Sequence, residues 1–382
     1  MAPFVLTART RTLMIVPIFL AVATAVALFV HSDVNTPMLW SQCHARARLP
    51  GLSRVPVLGT PLCYVVSFFQ ATLDAARSRA VMAVVLAFVG ALLTVCATES
   101  ARGCNRPARL VANPTPAWLL FNLLTGAGAL VWQLLIVPAQ IQRLRNIFVA
   151  QKLGATGSGG GTREEEEDEE QGIGGQRLEA LGVDLDRNLA GSEVVAIPVS
   201  IALGYYLPSV LMLVLRSPAA VGAWLFFPLY VSLARQALRW ALRRALGDDA
   251  AAGRAVHLET HRRSLAAVYA LPVLASVLAH AAVLWHLAAR PDDRKEMTRS
   301  CVAFVEIDAA FIAATVLYWV LVETSWKVPA LMVAVAALLG PGAGTLAGWP
   351  LRERIIEKEL GAVIDSVAAE DNDGPSEQTP LL

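Results

Sequence analysis

Three carboxylates interrupt an apolar stretch, residues 300–323, SCVAFVEIDAAFIAATVLYWVLVE. Glu306 and Asp308 come early in it, and Glu323 closes it. An ionised carboxylate at a bilayer centre costs about 2.5–3.5 kcal/mol on insertion scales, so each such acid needs a partner or a task. At about 100° per residue, Glu306 and Asp308 diverge by about 200° and cannot share one helix face. Thr315, Trp319 and Trp326 lie seven, eleven and eighteen residues beyond Asp308. They fall within about 20° of its line if the helix continues that far. A carboxyl group in an apolar cavity keeps its proton and can donate it. Indole faces attract cations. An acid with aromatic walls is the equipment of a carbocation reaction started by protonation. The same acids also suit a proton or ion path, or pairing with Arg or His, and aromatic stripes in membrane helices also serve packing.

Other polar groups fall at membrane depth. Asn122, Trp132 and Gln133 share one apolar segment, and Tyr205 and Tyr206 lie in LGYYLPS. There Pro208 frees a backbone carbonyl and bends the helix. His280 and His286 are about 240° apart on a helix and form no chelating face. The five cysteines include no CxxC pair. Cys43 and Cys63 share a loop and can form a disulfide if that loop is lumenal. Enzymes that ionise a prenyl diphosphate need clustered carboxylates for Mg²⁺. Asp184 and Asp186 are the nearest candidates, and they fall in a soluble linker. The chain has no Walker loop, HExxH or GxSxG. Ionisation of a diphosphate is therefore disfavoured, whereas protonation of an alkene or epoxide needs only the acid and an aromatic cavity. No metal and no cofactor are expected.

These residues sit in a chain of 382 residues, 55% hydrophobic and 16% charged, with mean hydropathy +0.52. A soluble domain carries about 25% charge. The reading is an all-α, polytopic transmembrane bundle of seven to eight spans. Candidates of about 20 residues are 13–30, 80–98, 117–137, 194–215, 220–238, 264–288, 300–322 and 328–348. The first is too long for a signal-peptide core and is read as a retained span. Residues 1–150 form an N-terminal set of helices with a re-entrant or interfacial segment near 55–70. A Gly/Glu-rich linker, 151–192, carries the acidic run Glu164 to Glu170 and is read as disordered. Residues 193–350 hold the proposed site, and 351–382 form a polar tail. The positive-inside rule favours lumenal termini and a cytosolic linker. Basic residues are scattered between spans, so no nucleic-acid partner is expected.

Phe304-Val305-Glu306-Ile307-Asp308 resembles the F-hydrophobic-polar-aromatic-Asp signature of fungal integral-membrane terpene cyclases of meroterpenoid biosynthesis, with Ile307 in place of the aromatic. Leu203 to Pro208, and Pro56-Val57-Leu58-Gly59 through Cys63 to Phe69, are similar to the same group. The match is to the longer cyclases, which close a farnesyl chain on an aromatic or polyketide head, rather than to the short seven-span type. It covers scattered segments of residues 55–325, and the acidic linker has no counterpart in it. The resemblance implies a metal-independent cyclase of isomerase or lyase type in the endoplasmic reticulum. Asp308 would be the general acid, with Glu306 or Glu323 re-protonating it or holding it by hydrogen bonding. Tyr205, Tyr206, Trp132 and Trp319, with Asn122, would line the cavity. A hydrophobic prenylated substrate would enter from the membrane lipids, with water excluded. The rival reading is a transporter or proton-coupled carrier using Glu306, Asp308 and Glu323. A third is a noncatalytic scaffold whose acidic loop recruits partners.

Overall fold

The computed structural model describes residues 10–44, 59–123, 128–156, 187–247 and 255–372. It is all-α apart from one two-residue antiparallel pair, β1 (Leu189–Ala190) with β2 (Ala255–Val256). The helices are α1 (Thr10–His31), α2 (Thr36–His44), α3 (Gly59–Thr72), α4 (Ala76–Ala101), α5 (Arg109–Ala112), α6 (Thr115–Leu123), α7 (Gly128–Val131) and α8 (Val137–Thr156). After the β1 strand come α9 (Gly191–Ile201), α10 (Leu207–Leu215), α11 (Pro218–Trp224) and α12 (Phe227–Leu246). Beyond β2 follow α13 (Arg262–Ala289), α14 (Glu296–Glu323), α15 (Lys327–Leu339) and α16 (Pro341–Asn372).

Among the described residues, five helices are long and apolar enough to cross a membrane: α1, α4, the joined α9–α10, α13 and α14. The bent pair α11–α12, kinked by 55°, makes a sixth. The described residues thus give five to six spans where the sequence suggests seven to eight, and the difference lies in two helical hairpins. In the first, α6 runs inward to Asn122, which meets the α11–α12 break at Leu225. The chain resumes at Gly128 beside Asp308, and α8 carries Arg143 back to Glu99 at the end of α4. Segment 117–137 thus enters and leaves on one side. In the second hairpin, α15 has 13 residues, a rise of about 20 Å against a hydrocarbon core of about 30 Å. It turns at Gly340, whose φ of +93° suits glycine alone, against Ser276 in the middle of α13. Hydropathy alone reads such hairpins as spans because both arms are apolar.

Two prolines shape the long helices. A π-turn over Trp132–Ile136 precedes Pro138, and another over Ala202–Tyr206 precedes Pro208. Each absorbs the register lost to the missing proline N–H without breaking the helix. At the α11–α12 break the Leu225 carbonyl is freed, and the Asn122 side-chain amide donates to it at 2.6 Å.

One end of the bundle is held by a buried ionic network. Arg143 donates to Glu99 at 2.5 Å, Arg102 to Glu259 at 2.5 Å, and Arg352 to Glu323 at 2.5 Å. Arg352 and Arg187 also pair with Glu353. Four arginines and four glutamates balance, and none of these side chains is more than 7% exposed. Arg352 also lies over Trp349, 4.2 Å from its centroid. Burial pushes the carboxyl of Glu259 up, although Arg102 opposes this. The network ties α4, α8, α14 and α16 together. It also corrects two boundaries. Residues 351–356 belong to the core rather than to a polar tail, since Arg352, Glu353 and Ile356 are buried. The ends of the linker region are structured, α8 running to Thr156 and Arg187 being buried. The acidic run itself, Asp184 and Asp186 lie outside the described residues.

Tyr318 of α14 donates its hydroxyl to the Leu13 carbonyl at 2.7 Å. The start of α1 is therefore on the network side, as are Thr156 and Arg187. Lumenal termini with a cytosolic linker do not fit this arrangement, because the two hairpins do not cross. Cys63 is a buried free thiol; the side chain of Cys43 lies outside the described residues.

Removing one partner of a buried ion pair typically costs about 3–5 kcal/mol. Arg352→Gln should therefore lower the thermal unfolding midpoint in detergent by several degrees. An unchanged midpoint would mean that the network does not hold the helices.

Candidate functional site

Asp308 lies halfway along α14, half-buried, with its side chain lining a small, partly open cavity of about 70 Å³. The other walls are apolar and largely aromatic: Phe68 and Phe69 of α3, Phe121 of α6, Trp224 of α11 and Phe304 of α14, with Leu86 and Val89 of α4. Asn122 is the other polar lining side chain, and its amide is committed to Leu225. The Ala129 N–H donates to Asp308 Oδ1 at 2.9 Å. Oδ2 faces Gly128, where an added Cβ would come within 2.8 Å of it. A Cβ there would also meet the Phe121 ring at 2.8 Å, so any larger residue must displace the carboxylate or the ring. No cation lies within ion-pair distance of Asp308 among the described residues.

Glu306 points the other way. It lines a separate open groove of about 430 Å³ between α4, α13 and α14, with Arg77 and Arg294 at its mouth. Nearby, Asp292 takes Arg294 at 2.8 Å. Asp293 accepts the Ala76 and Arg77 N–H groups, and those bonds hold its carboxyl below the usual range. Glu323 is fully buried in the ionic network, fifteen residues and about 22 Å along α14 from Asp308. The three acids thus occupy three separate environments.

The aromatic residues singled out from the sequence mostly pack elsewhere. Trp132 and Trp319 stand in a column that runs from Trp118 to Trp349, with centroids 5.8, 6.5 and 4.9 Å apart. That column leads from the cavity wall to Arg352. Trp319 shares the face of Asp308 but not its cavity, because eleven residues of helix rise about 16 Å. Trp326 lies beyond the end of α14 and is exposed. Tyr205 donates its hydroxyl to the Leu86 carbonyl at 2.7 Å and meets Phe227 edge-to-face. Tyr206 packs against Gly90 with its hydroxyl buried and unpaired. His280 reaches the Ala337 carbonyl, joining α13 to α15. Sequence reasoning missed Phe121, Trp224 and the pair Phe68-Phe69 as cavity walls. A signal existed for the last pair, which ends the short apolar segment that carries part of the resemblance.

Gly128→Ala should cost about 1–3 kcal/mol, the usual range for overpacking. Asp308→Asn keeps an acceptor for the Ala129 N–H and should leave the unfolding midpoint near that of the parent. Equal destabilisation by both, measured by thermal unfolding in micelles, would make Asp308 a structural clasp.

No protein-family model, curated protein or solved structure matches the chain.

Proposed function

We propose that this membrane protein is a metal-independent cyclase that closes a prenyl chain by acid-initiated carbocation chemistry, with Asp308 as the acid. The observation that carries the reading is a carboxyl group facing an aromatic-walled apolar cavity, supported by one backbone N–H and, among the described residues, by no cation. In the proposed step a proton passes from Asp308 Oδ2 to the terminal carbon of an alkene, or to an epoxide oxygen. In the alkene the π bond supplies the electron pair for the new C–H bond; in the epoxide an oxygen lone pair takes the proton and the C–O bond then breaks with its pair going to oxygen, which becomes a hydroxyl. Either route leaves a tertiary cation. Internal alkenes attack that cation and close the rings. Return of a proton to the Asp308 carboxylate ends the sequence with no net loss of atoms.

Phe68, Phe121, Phe304 and Trp224 would present ring faces to the migrating charge. The dry wall keeps water from quenching it. The Ala129 N–H stabilises the carboxylate that forms after proton transfer, as a fixed dipole aimed at developing charge. Glu323 takes no part in this chemistry, because Arg352 holds its Oε2 in the ionic network about 22 Å along α14 from Asp308. Glu306 contacts a different space and would act only from the lipid-facing groove. Cyclisation is favoured over the carrier reading because the three acids line no common path. The arginine-rich network end would face the cytosol by the positive-inside rule.

General acid catalysis contributes about 10²–10⁴-fold. Microsomes carrying the protein, incubated with farnesylated phenols and their epoxides in EDTA, should give a cyclised isomer by mass spectrometry. Asp308→Asn should reduce that product at least 100-fold, within that range. Full activity in the Asn variant would remove Asp308 from the mechanism.

A further inference from the structure

α12 changes character along its length. Leu229, Leu233 and Trp240 are exposed. They fall within about 40° of one line at 100° per residue, an apolar stripe bare of protein, as a lipid-facing surface is. The stripe ends at Trp240, and exposed Arg243 and Arg244 follow in the last turn. The Arg244 guanidinium lies over the Trp240 ring, 6.0 Å from its centroid. An exposed indole followed by arginines marks the depth where hydrocarbon gives way to head groups.

Beside this boundary lies a cleft of about 370 Å³, within the roughly 300–1,000 Å³ of ordinary ligand sites. It opens where the first hairpin enters, between α6, α12 and the end of α4. Its apolar wall includes Leu93, Trp118, Pro228 and Val231, and its polar wall includes Ser100, Thr115, Arg235, Gln236 and Arg239. No carboxylate is among the described lining residues. Glu193 of α9, outside the lining, takes Arg235 Nε at 2.8 Å and Arg239 Nε at 2.8 Å. Arg235 also donates to Ser100 Oγ at 2.7 Å. The two guanidinium groups are thus fixed one helical turn apart, and the Arg239 side chain stays 35% exposed.

A phosphate takes two guanidinium groups through charge-assisted hydrogen bonds. A soluble phosphate compound shares that chemistry but has no use for the apolar wall. Basic clefts between membrane helices at head-group depth suit anionic lipids. We infer that this cleft binds an anionic phospholipid of the leaflet at the network end. Its phosphate bridges Arg235 and Arg239, and the start of an acyl chain lies along Leu93 and Val231. With the arginine-rich end in the cytosol, that is the leaflet that carries such lipids. The bound lipid braces α6 against α12. The site is separate from the Asp308 cavity and does not depend on the cyclase reading.

Native mass spectrometry of the full chain, released from micelles with single added lipids, tests the site. One phosphatidylserine should be retained at about tenfold lower lipid concentration than phosphatidylcholine. Arg239→Gln should remove most of that preference. Gln236→Glu sets a carboxylate beside both arginines and leaves Glu193 untouched. It should remove the preference while the unfolding midpoint without lipid stays at that of the parent. Phosphatidylserine should raise the midpoint of the parent and not that of Gln236→Glu. Equal retention of the two lipids would overturn the site. An equal loss in Arg243→Gln with Arg244→Gln would also do so, because the attraction would then belong to a charged surface and not to the cleft. Displacement by millimolar glycerophosphoserine, which has no acyl chains, would reassign the cleft to a soluble phosphate compound and sink the lipid proposal.

Discussion

Pairing of charge in an apolar chain is the constraint on which this structure rests. A buried ion is tolerated only where partners replace the water it has lost. Glu99, Glu259, Glu323 and Glu353 are met by Arg102, Arg143, Arg187 and Arg352 at one end of the bundle. Glu193 is met separately by Arg235 and Arg239. These contacts join helices far apart in sequence, so they set the positions of α4, α8, α14 and α16 relative to one another. With α14 anchored at Glu323, the helix delivers Asp308 to the middle of the bundle. There the carboxyl meets a backbone N–H and aromatic rings instead of a cation.

The first hairpin has a matching role. Its inner end is where α7 begins, and that helix start is capped across the bundle by Asp308. Asn122, on the inward arm, closes the break between α11 and α12. Two polar side chains therefore join the hairpin to its neighbours at the same depth, and the cavity lies between them. The walls come from α3, α4, α6, α11 and α14. Packing of these five elements surrounds the carboxyl with mostly apolar side chains, and the proposed chemistry requires that water be kept out.

Much of this was legible in the sequence, and the reasons for the rest are physical. Composition gave a membrane helical bundle, and helix geometry gave the divergence of Glu306 from Asp308. The two span counts differ because a hairpin arm and a crossing helix are equally apolar; only contacts such as Arg143 with Glu99 tell them apart. Trp319 falls on the line of Asp308 along α14, yet rise along the axis puts it outside the cavity. Angular position alone does not bring residues together. The partner of Glu323 could not be read from the chain, since Arg352 lies in a stretch whose charge reads as a solvated tail. The walls Phe121 and Trp224 are ordinary aromatics in apolar segments and carry no local mark.

The account stands on one placement, that of a substrate's tail against Asp308. A cryo-electron-microscopy map of the protein in lipid nanodiscs with a non-cyclising farnesylated phenol tests it directly. The account predicts density for the last isoprene unit beside Asp308 Oδ2, between Phe121 and Phe304. Density only in the lipid-facing groove at Glu306, with the Asp308 cavity still closed, would contradict it.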